Sequence, residues 1–266
     1  MTAFSVYDNI GNLILGKHIA EEILKAAIVT GHSKGLGAAI ATHLLSRDIR
    51  VLGVARHENA DLAKRFGEGL TQVRLDLADS AALARWLESD ALAEFLRGST
   101  TAFLVNNAGV LQPIGPLETQ DVSLVARAVA VNVAAALMAS AAFVAAARDA
   151  SDCRILHISS GAGTKAYAGW SVYCATKAAL DHHARCVTLD RTPRLRISSV
   201  APGTVDTEMQ EEIRATTSRK FPDHDRFVAM KREGRLRSPD HVGRAVVELL
   251  LSDSFGREPV TDLRSA

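Results

Sequence analysis

A tyrosine and a lysine at a spacing suited to proton transfer lie in one predicted helix. Tyr173 and Lys177 are four residues apart, which places both side chains on the same helical face. A free tyrosine has a pKa of about 10, and a nearby ammonium group lowers that pKa by stabilising the phenolate. The spacing by itself also fits an ordinary surface pair. With a further polar group beside it, the pair predicts a general acid that works near neutral pH.

Two more polar residues could complete such a site. Ser160 ends a predicted strand and precedes Tyr173 by 13 residues, enough chain to bring its hydroxyl back to the phenol. Asn132 interrupts an alanine-rich helix, where an asparagine usually costs stability. We therefore expect Asn132 to hold a water molecule behind Lys177, with a bend in the helix as the alternative.

The elements that must position these residues alternate between strands and helices. The predicted strands are Ala27–Thr30, Val51–Ala55, Val73–Leu75, Phe103–Val105, Ile155–Ile158 and Ile197–Val200. The predicted helices are Leu36–Ser46, Ala60–Phe66, Ser80–Arg97, Val122–Arg148 and Val172–Leu189. This alternation predicts an α/β fold with a doubly wound parallel sheet and helices on both faces. No linker divides the chain, so residues 26–266 are expected to form one domain.

A glycine-rich segment follows the first predicted strand and opens the first long helix. Glycines let the backbone approach a pyrophosphate closely, and the N terminus of the helix offers free N–H groups. The spacing is GxxxGxG, and a plain tight turn is the alternative. The residues expected to contact a dinucleotide here are Gly31, Ser33, Lys34, Gly35, Leu36 and Gly37.

The end of the second predicted strand distinguishes between the two nicotinamide cofactors. An NAD site usually places an acid there for the ribose 2′-hydroxyl, but this sequence has Arg56 and no acid before Glu58. Arg56 could bind a 2′-phosphate and Lys34 could add a second charge, so we expect NADPH unless both cations are simply solvated. Asp76 and Leu77 follow the third strand and are expected at the adenine, although Asp76 could instead cap the next helix.

A short polar turn follows the fourth predicted strand. Asn107, Ala108 and Gly109 would let the backbone pass close to the cofactor ribose. The alternative is a turn that merely ends the strand, since asparagine and glycine favour turns.

Composition argues against several classes of partner. The 266 residues carry a net charge of +1, so neither nucleic acid nor an anionic membrane is expected to bind. Three cysteines without a CxxC pair are typical of a reduced cytoplasmic protein, and no metal site is predicted. Residues 1–25 do not resemble a secretory signal and are expected to form a tail or peripheral helix, or alternatively a partner-binding segment. The polar segment 205–239 is expected to be a substrate lid with its own short helices.

Taken together, these motifs resemble the short-chain dehydrogenase/reductase family over about residues 26–204. The resemblance includes the glycine loop, NNAG at 106–109, YCATK at 173–177 and a Pro-Gly pair at 202–203. It implies a seven-stranded Rossmann-type sheet and a homodimer or homotetramer. It also implies that Ser160 orients a carbonyl, Tyr173 is the acid, Lys177 also holds the nicotinamide ribose and Asn132 supports a water chain. The residues implied to cradle the nicotinamide and its phosphates are Pro202, Gly203 and Thr204.

Within the family, three segments are similar to sepiapterin reductases and to the related bacterial benzil reductases. These segments are GWSVYCATKAA at 169–179, APGTVDTEMQ at 201–210 and KREGRL at 231–236. The similarity implies NADPH-dependent reduction of one carbonyl of a small vicinal dicarbonyl to a secondary alcohol. Sepiapterin reductases anchor the pterin with a near-terminal aspartate, and Asp262 aligns with it, although a solvated acid is the alternative. The implied substrate contacts are Ser160, Trp170, Tyr173, Met209 and Asp262.

Two other functions remain open at this point. One is a generic NADP-dependent alcohol dehydrogenase or 3-oxoacyl reductase, because GAG at 161–163 removes bulk from one wall of the pocket and leaves the substrate undecided. The other is a non-catalytic NADPH-binding regulator on the same fold. The presence of Ser160, Tyr173 and Lys177 together argues against the regulator.

Overall fold

The five central strands are short, mostly apolar runs that are buried along most of their length, whereas the two edge strands are only partly buried. In the computed structural model, which describes residues 24–264, all strand pairs are parallel and form one sheet in the order β3-β2-β1-β4-β5-β6-β7. Burial on both faces is what a parallel sheet covered by helices requires. The strands are β1 Lys25–Thr30, β2 Arg50–Ala55, β3 Leu70–Arg74, β4 Thr101–Asn106, β5 Asp152–Ile158, β6 Leu195–Ala201 and β7 Val260–Asp262. The predicted doubly wound, single-domain fold is confirmed, and the strand order reverses between β1 and β4, where a ligand crevice is expected.

Helices connect successive strands and cover both faces of the sheet. They are α1 Gly35–Leu45, α2 Ala60–Phe66, α3 Ser80–Leu87, α4 Ala91–Leu96, α5 Val122–Val129, α6 Ala135–Ala146, α7 Ser171–Leu189, α8 Glu208–Ala215, α9 His224–Arg232 and α10 Pro239–Leu251. Short 3₁₀ turns lie at Gly67–Gly69, Leu117–Thr119 and Gly161–Gly163.

Two predicted helices differ in the structure. The helix expected over 80–97 is divided into α3 and α4, because the hydroxyl of Ser89 bonds back to the Trp86 carbonyl and ends the first helix. The helix expected over 122–148 ends at Ala146 and contains a π-helical turn over Ala130–Ala134. That turn places Asn132 at its centre, and π turns of this kind occur often at functional sites.

Two apolar layers hold the sheet, and a third cluster forms beside its carboxyl edge. One layer packs α1 and α10 against the sheet, and the other is centred on Phe143 of α6. The third cluster joins Trp170 to Phe221 and Phe227 in the segment 205–239. That segment contains α8 and α9, and a bridge between Val205 and Arg237 brings its two ends together.

One helical run is notable for its composition. By length and apolar character alone, the run Val122–Ala146 in the described part of the chain would suffice to cross a membrane, with a mean hydropathy of 2.1. In this fold α6 packs on β4 and β5, as a core helix does. The outer side of α5 leaves Val122 and Val129 exposed. Residues 1–23 of the expected tail lie outside the described residues, and Lys25 already belongs to β1.

Candidate active site

A cleft of about 720 Å³ runs along the carboxyl edge of the sheet. It begins at the glycine loop after β1, passes the ends of β4 and β5, and finishes under α8 and α9. Carboxyl ends of parallel strands meet at one edge, which is why motifs far apart in sequence converge here. Nearly all of the predicted site residues line the cleft: Gly31, Ser33, Lys34, Gly35, Leu36, Gly37, Arg56, Asp76, Leu77, Asn107, Ala108, Gly109, Ser160, Trp170, Tyr173, Lys177, Pro202, Gly203, Thr204 and Met209.

The glycine loop is packed so tightly that side chains are excluded from it. Gly31 has a φ of +70°, and a Cβ on Gly37 would overlap the carbonyl oxygen of Gly31. Asn107 Nδ2 joins the loop to the end of β4 by donating to Thr30 O at 2.9 Å and Gly31 O at 3.2 Å. The side chain of Asn107 therefore braces the loop, and the approach of this backbone to the cofactor ribose stays a prediction. The resulting backbone cradle at the start of α1 fits the pyrophosphate of a dinucleotide.

The end of the cleft nearest the glycine loop carries the charged residues predicted to select NADPH over NADH. Arg56 is exposed at the end of β2, where its side chain is available to a phosphate. Lys34 instead forms an ion pair with Glu208 at the start of α8, so its predicted phosphate contact would compete with that pair. Asp76 accepts from the Ala78 N–H at 3.0 Å and pairs with Arg127 at 3.2 Å.

Burial tends to raise the pKa of Asp76, but the Ala78 and Arg127 hydrogen bonds outweigh it and hold that pKa below its usual range. Asp76 therefore stays ionised and can accept hydrogen bonds. The alternative that Asp76 caps the following helix is wrong, because Asp79 accepts from the Ala82 N–H and occupies that position.

Tyr173 lies in the apolar end of the cleft, with 7 % of the residue exposed. Burial raises its pKa to about 12, while a hydrogen bond with the Ser160 side chain acts in the opposite direction. Lys177 is not among the groups that shift this pKa here, so its predicted lowering of the Tyr173 pKa stays a prediction. A phenol in this state carries a proton to give at neutral pH, but the raised pKa makes it a weaker acid than a free phenol.

The backbone fixes Lys177 beside the Tyr173 ring. Its Nζ donates to Ile158 O at 2.8 Å and lies 5.7 Å from the centroid of the Tyr173 ring. Burial lowers the pKa of Lys177 to about 8, and the charge of Asp181, one turn further along α7, raises it in part. Asp181 is itself buried and accepts from Ser199 Oγ at 2.7 Å.

Asn132 joins α7 to the chain segment that follows β4. Its Oδ1 accepts from Val110 N at 2.8 Å, and its Nδ2 donates to Val110 O at 2.8 Å and to Thr176 Oγ1 at 3.1 Å. These contacts make Asn132 a clamp on the wall of the cleft beside Lys177. The water-holding role and its alternative, a helix bend, both stay predictions, and the helix around Asn132 forms a π turn.

The substrate end of the cleft is aromatic. Trp170 stacks on Phe221 with ring centroids 4.2 Å apart and meets Tyr173 edge-on at 5.6 Å. Tyr173 Oη lies 3.9 Å from Met209 Sδ. Flat apolar walls close to the proton donor suit a ligand with a planar or aromatic body.

Asp262 does not occupy the predicted ligand-contacting position. Arg264 Nε lies 3.0 Å from Asp262 Oδ1 and 3.1 Å from Oδ2, so the carboxylate is already bound. Arg264 lines the cleft and Asp262 does not. The geometry therefore contradicts the prediction that Asp262 contacts the substrate, because its neighbour on the chain holds both oxygens.

A sequence model described as short chain dehydrogenase matches residues 25–218. The chain belongs to the short-chain dehydrogenase/reductase family. It is 34 % identical over 239 residues to a benzil reductase ((S)-benzoin forming) of Bacillus cereus, covering 87 % of this chain and 96 % of the relative. It is 30 % identical over 243 residues to a sepiapterin reductase of Meriones unguiculatus, covering 86 % and 92 %. A solved short-chain dehydrogenase/reductase from Burkholderia vietnamiensis is 50 % identical, covers 91 % of this chain and 98 % of its own, and has a TM-score of 0.67.

This short-chain dehydrogenase/reductase is thus an oxidoreductase of carbonyl or alcohol groups that binds a nicotinamide cofactor, as the motifs predicted. Sequence reasoning missed Arg127, Asp181 and Arg264. Asp181 could have been found, since it continues the stripe of Tyr173 and Lys177 at the same four-residue spacing. Arg127 and Arg264 carry no local signal, because only the fold brings them to the cleft.

Proposed function

We propose that the protein uses NADPH to reduce one carbonyl of a small vicinal dicarbonyl to a secondary alcohol. The observation that carries the proposal is the convergence of Ser160, Tyr173 and Lys177 on the cleft that also holds the glycine loop and Arg56. Proton donor and dinucleotide cradle share one cavity, as carbonyl reduction requires.

The chain's own groups account for the proton side of the reaction. Bound NADPH would supply the hydride that reaches the carbonyl carbon. Ser160 and Tyr173 would donate hydrogen bonds to the carbonyl oxygen and stabilise the negative charge that develops there. Tyr173, which carries its proton at neutral pH, would then give it to that oxygen. Lys177, fixed by Ile158 O beside the ring, would favour the phenolate that remains.

The preference for NADPH rests on the charge at the end of β2. Arg56 is exposed to the cleft, and Glu58, the first acid after it, is not among the lining residues. A guanidinium group binds phosphate in a bidentate manner, whereas an NAD site needs an acceptor for the 2′-hydroxyl. We expect Arg56→Asp to lower the ratio of kcat/KM for NADPH over NADH by about 10-fold or more, a loss typical of charged hydrogen bonds. An unchanged ratio would remove this argument.

The proposed substrate class, a small vicinal dicarbonyl, rests on the aromatic end of the cleft and on the similarity to a benzil reductase and a sepiapterin reductase. The Trp170 and Phe227 rings line the cleft and offer flat apolar contact beside Tyr173, with the buried Phe221 ring stacked behind Trp170. A substrate screen with NADPH tests the class: benzil, aliphatic diketones, sepiapterin and 3-oxoacyl thioesters, each followed by loss of NADPH absorbance. Faster turnover of 3-oxoacyl thioesters than of every diketone would contradict the proposal.

The assignment of the acid is tested separately. Tyr173→Phe keeps the ring and removes only the hydroxyl, so it should retain NADPH binding and lose about 100-fold or more in kcat, as expected for general acid catalysis. Retention of most of the reductase activity would show that another group supplies the proton.

We also propose a homodimer or homotetramer in the cytoplasm. The exposed apolar residues Val122 and Val129 on α5 support association, and light scattering after gel filtration measures it. A monomer at micromolar concentration would contradict the oligomer. The free thiols of Cys153, Cys174 and Cys186 support a reducing compartment, which cell fractionation tests.

A further inference from the structure

Arg264 reaches the reacting end of the cleft from the last strand of the sheet. Asp262 pairs with Ala201 in the β6–β7 ladder, and Leu263 N donates to Ala201 O at 3.0 Å, which fixes the backbone just before Arg264. A Cβ on Gly203 would lie 3.4 Å from Arg264 Cγ and Cδ, and one on Gly161 would lie 3.9 Å from Nη2. The side chain therefore spans from the Pro-Gly turn after β6 to the residue next to Ser160.

Asp262 orients this arginine without using all of its donors. The carboxylate engages Nε and Nη2, and within residues 24–264 no hydrogen bond from Nη1 is found. A guanidinium group carries five N–H donors in a planar fork. Donors on its outer edge are therefore left for a ligand in the cleft that Arg264 lines.

We propose that Arg264 donates a hydrogen bond to a second substrate oxygen, on the carbon next to the reacting carbonyl. The proposal rests on the proposed function and deepens it, because it identifies the group that distinguishes a vicinal dicarbonyl from a simple ketone. Ser160 and Tyr173 take the reacting oxygen, and Arg264, beside Gly161, takes the neighbouring one. The absence of a side chain at Gly161 leaves that space open to the arginine and the ligand.

The charge balance favours a neutral acceptor over a carboxylate. Arg264 and Asp262 form a bidentate ion pair, and the arginine holds the pKa of Asp262 below its usual range, so the pair carries no net charge at neutral pH. A substrate carboxylate would meet the positive guanidinium and the negative Asp262 together, so the pair itself attracts it little, and the charge of Arg237, which also acts on Asp262, is the attraction that remains for an anion. A carbonyl oxygen needs only the donor.

Two ketones that differ by one oxygen test the proposal. Benzil has the second carbonyl, and deoxybenzoin replaces it with a methylene on the same skeleton. In the Arg264→Gln variant, kcat/KM for benzil should fall by about 10- to 100-fold, the loss typical of a hydrogen bond to a charged group, whereas kcat/KM for deoxybenzoin should stay within about 2-fold. Arg257→Gln, an exposed arginine outside the cleft, is the matched control and should change neither.

Equal losses on both ketones, or no loss on benzil, would overturn the role of Arg264. Benzoylformate carries a carboxylate in place of the second benzoyl group, and a preference for it over benzil that disappears in Arg264→Gln would overturn the neutral acceptor. A wild-type protein that reduces none of the three would refute the proposed function. In that case, calorimetric binding of benzil and deoxybenzoin to the NADP⁺-loaded protein still tests the role of Arg264. A selective loss of benzil affinity in Arg264→Gln supports that role, and unchanged affinity overturns it.

Discussion

Replacing Lys177 by methionine separates the cost of a buried charge from the chemistry of the ammonium group. Only 3 % of Lys177 is exposed, and burial lowers its pKa from 10.5 to about 8. Methionine keeps an unbranched chain of similar length and carries no proton. The variant should lose reductase activity, yet its stability relative to the wild type should depend on pH in a defined direction.

The sign follows from the proton balance. Between the folded and unfolded pKa values of Lys177 the unfolded chain binds more protons, so the stability of the wild type rises with pH in that window. The cost of burying the Lys177 ammonium group is absent when the pH is above the pKa of Lys177 in the unfolded chain. The full cost applies once the pH has fallen through the pKa of about 8 in the folded protein. The fall from 10.5 to about 8 corresponds to about 3 kcal/mol at neutral pH. About 2 kcal/mol of this cost should be relieved between about pH 7 and about pH 9.5.

Urea unfolding of the cofactor-free protein, followed by tryptophan fluorescence, measures the effect at both pH values. The free energy of unfolding of the wild type minus that of Lys177→Met should increase by about 2 kcal/mol at the higher pH. Lys64→Met, on the exposed side of α2, is the control, and its difference from wild type should stay constant. A constant difference for Lys177→Met as well would refute the argument that burial holds this ammonium group at a cost.

Three further substitutions test other parts of the structure. Gly37→Ala places a methyl group against the carbonyl of Gly31, so NADPH affinity measured by fluorescence titration should fall by about 10-fold or more. Full affinity in this variant would mean that the glycine loop is not the cofactor site. Asp181→Asn removes a charge that raises the pKa of Lys177, so the pH profile of kcat should shift to lower pH, and an unshifted profile would exclude this coupling. Phe143→Ala leaves a cavity at a fully buried position in α6, so the free energy of unfolding measured in urea should fall by about 3–5 kcal/mol. A fall below about 1 kcal/mol would contradict the packing of Phe143 in the core.

Local patterns accounted for the fold and for most of the site. The alternation of apolar runs and helical segments predicted the parallel sheet, because burial on both faces leaves a recognisable apolar pattern in each strand. The glycine loop and the Tyr173–Lys177 pair were also predictable, since a tight turn and one helical face are decided within a few residues.

Only the tertiary structure decided which charged side chains are already paired and in which direction the pKa of Tyr173 is shifted. Glu208 meets Lys34 across 174 residues of chain, and Arg127 meets Asp76 across 51. No local pattern reports such pairings. The raised pKa of Tyr173 likewise depends on burial, which only the packed fold creates. The sequence by itself determined the fold class and the chemical groups near the reaction. The packed chain decided that the pKa of Tyr173 is raised and that Arg264, rather than Asp262, lines the cleft, because burial and ion pairing depend on segments that meet only after folding.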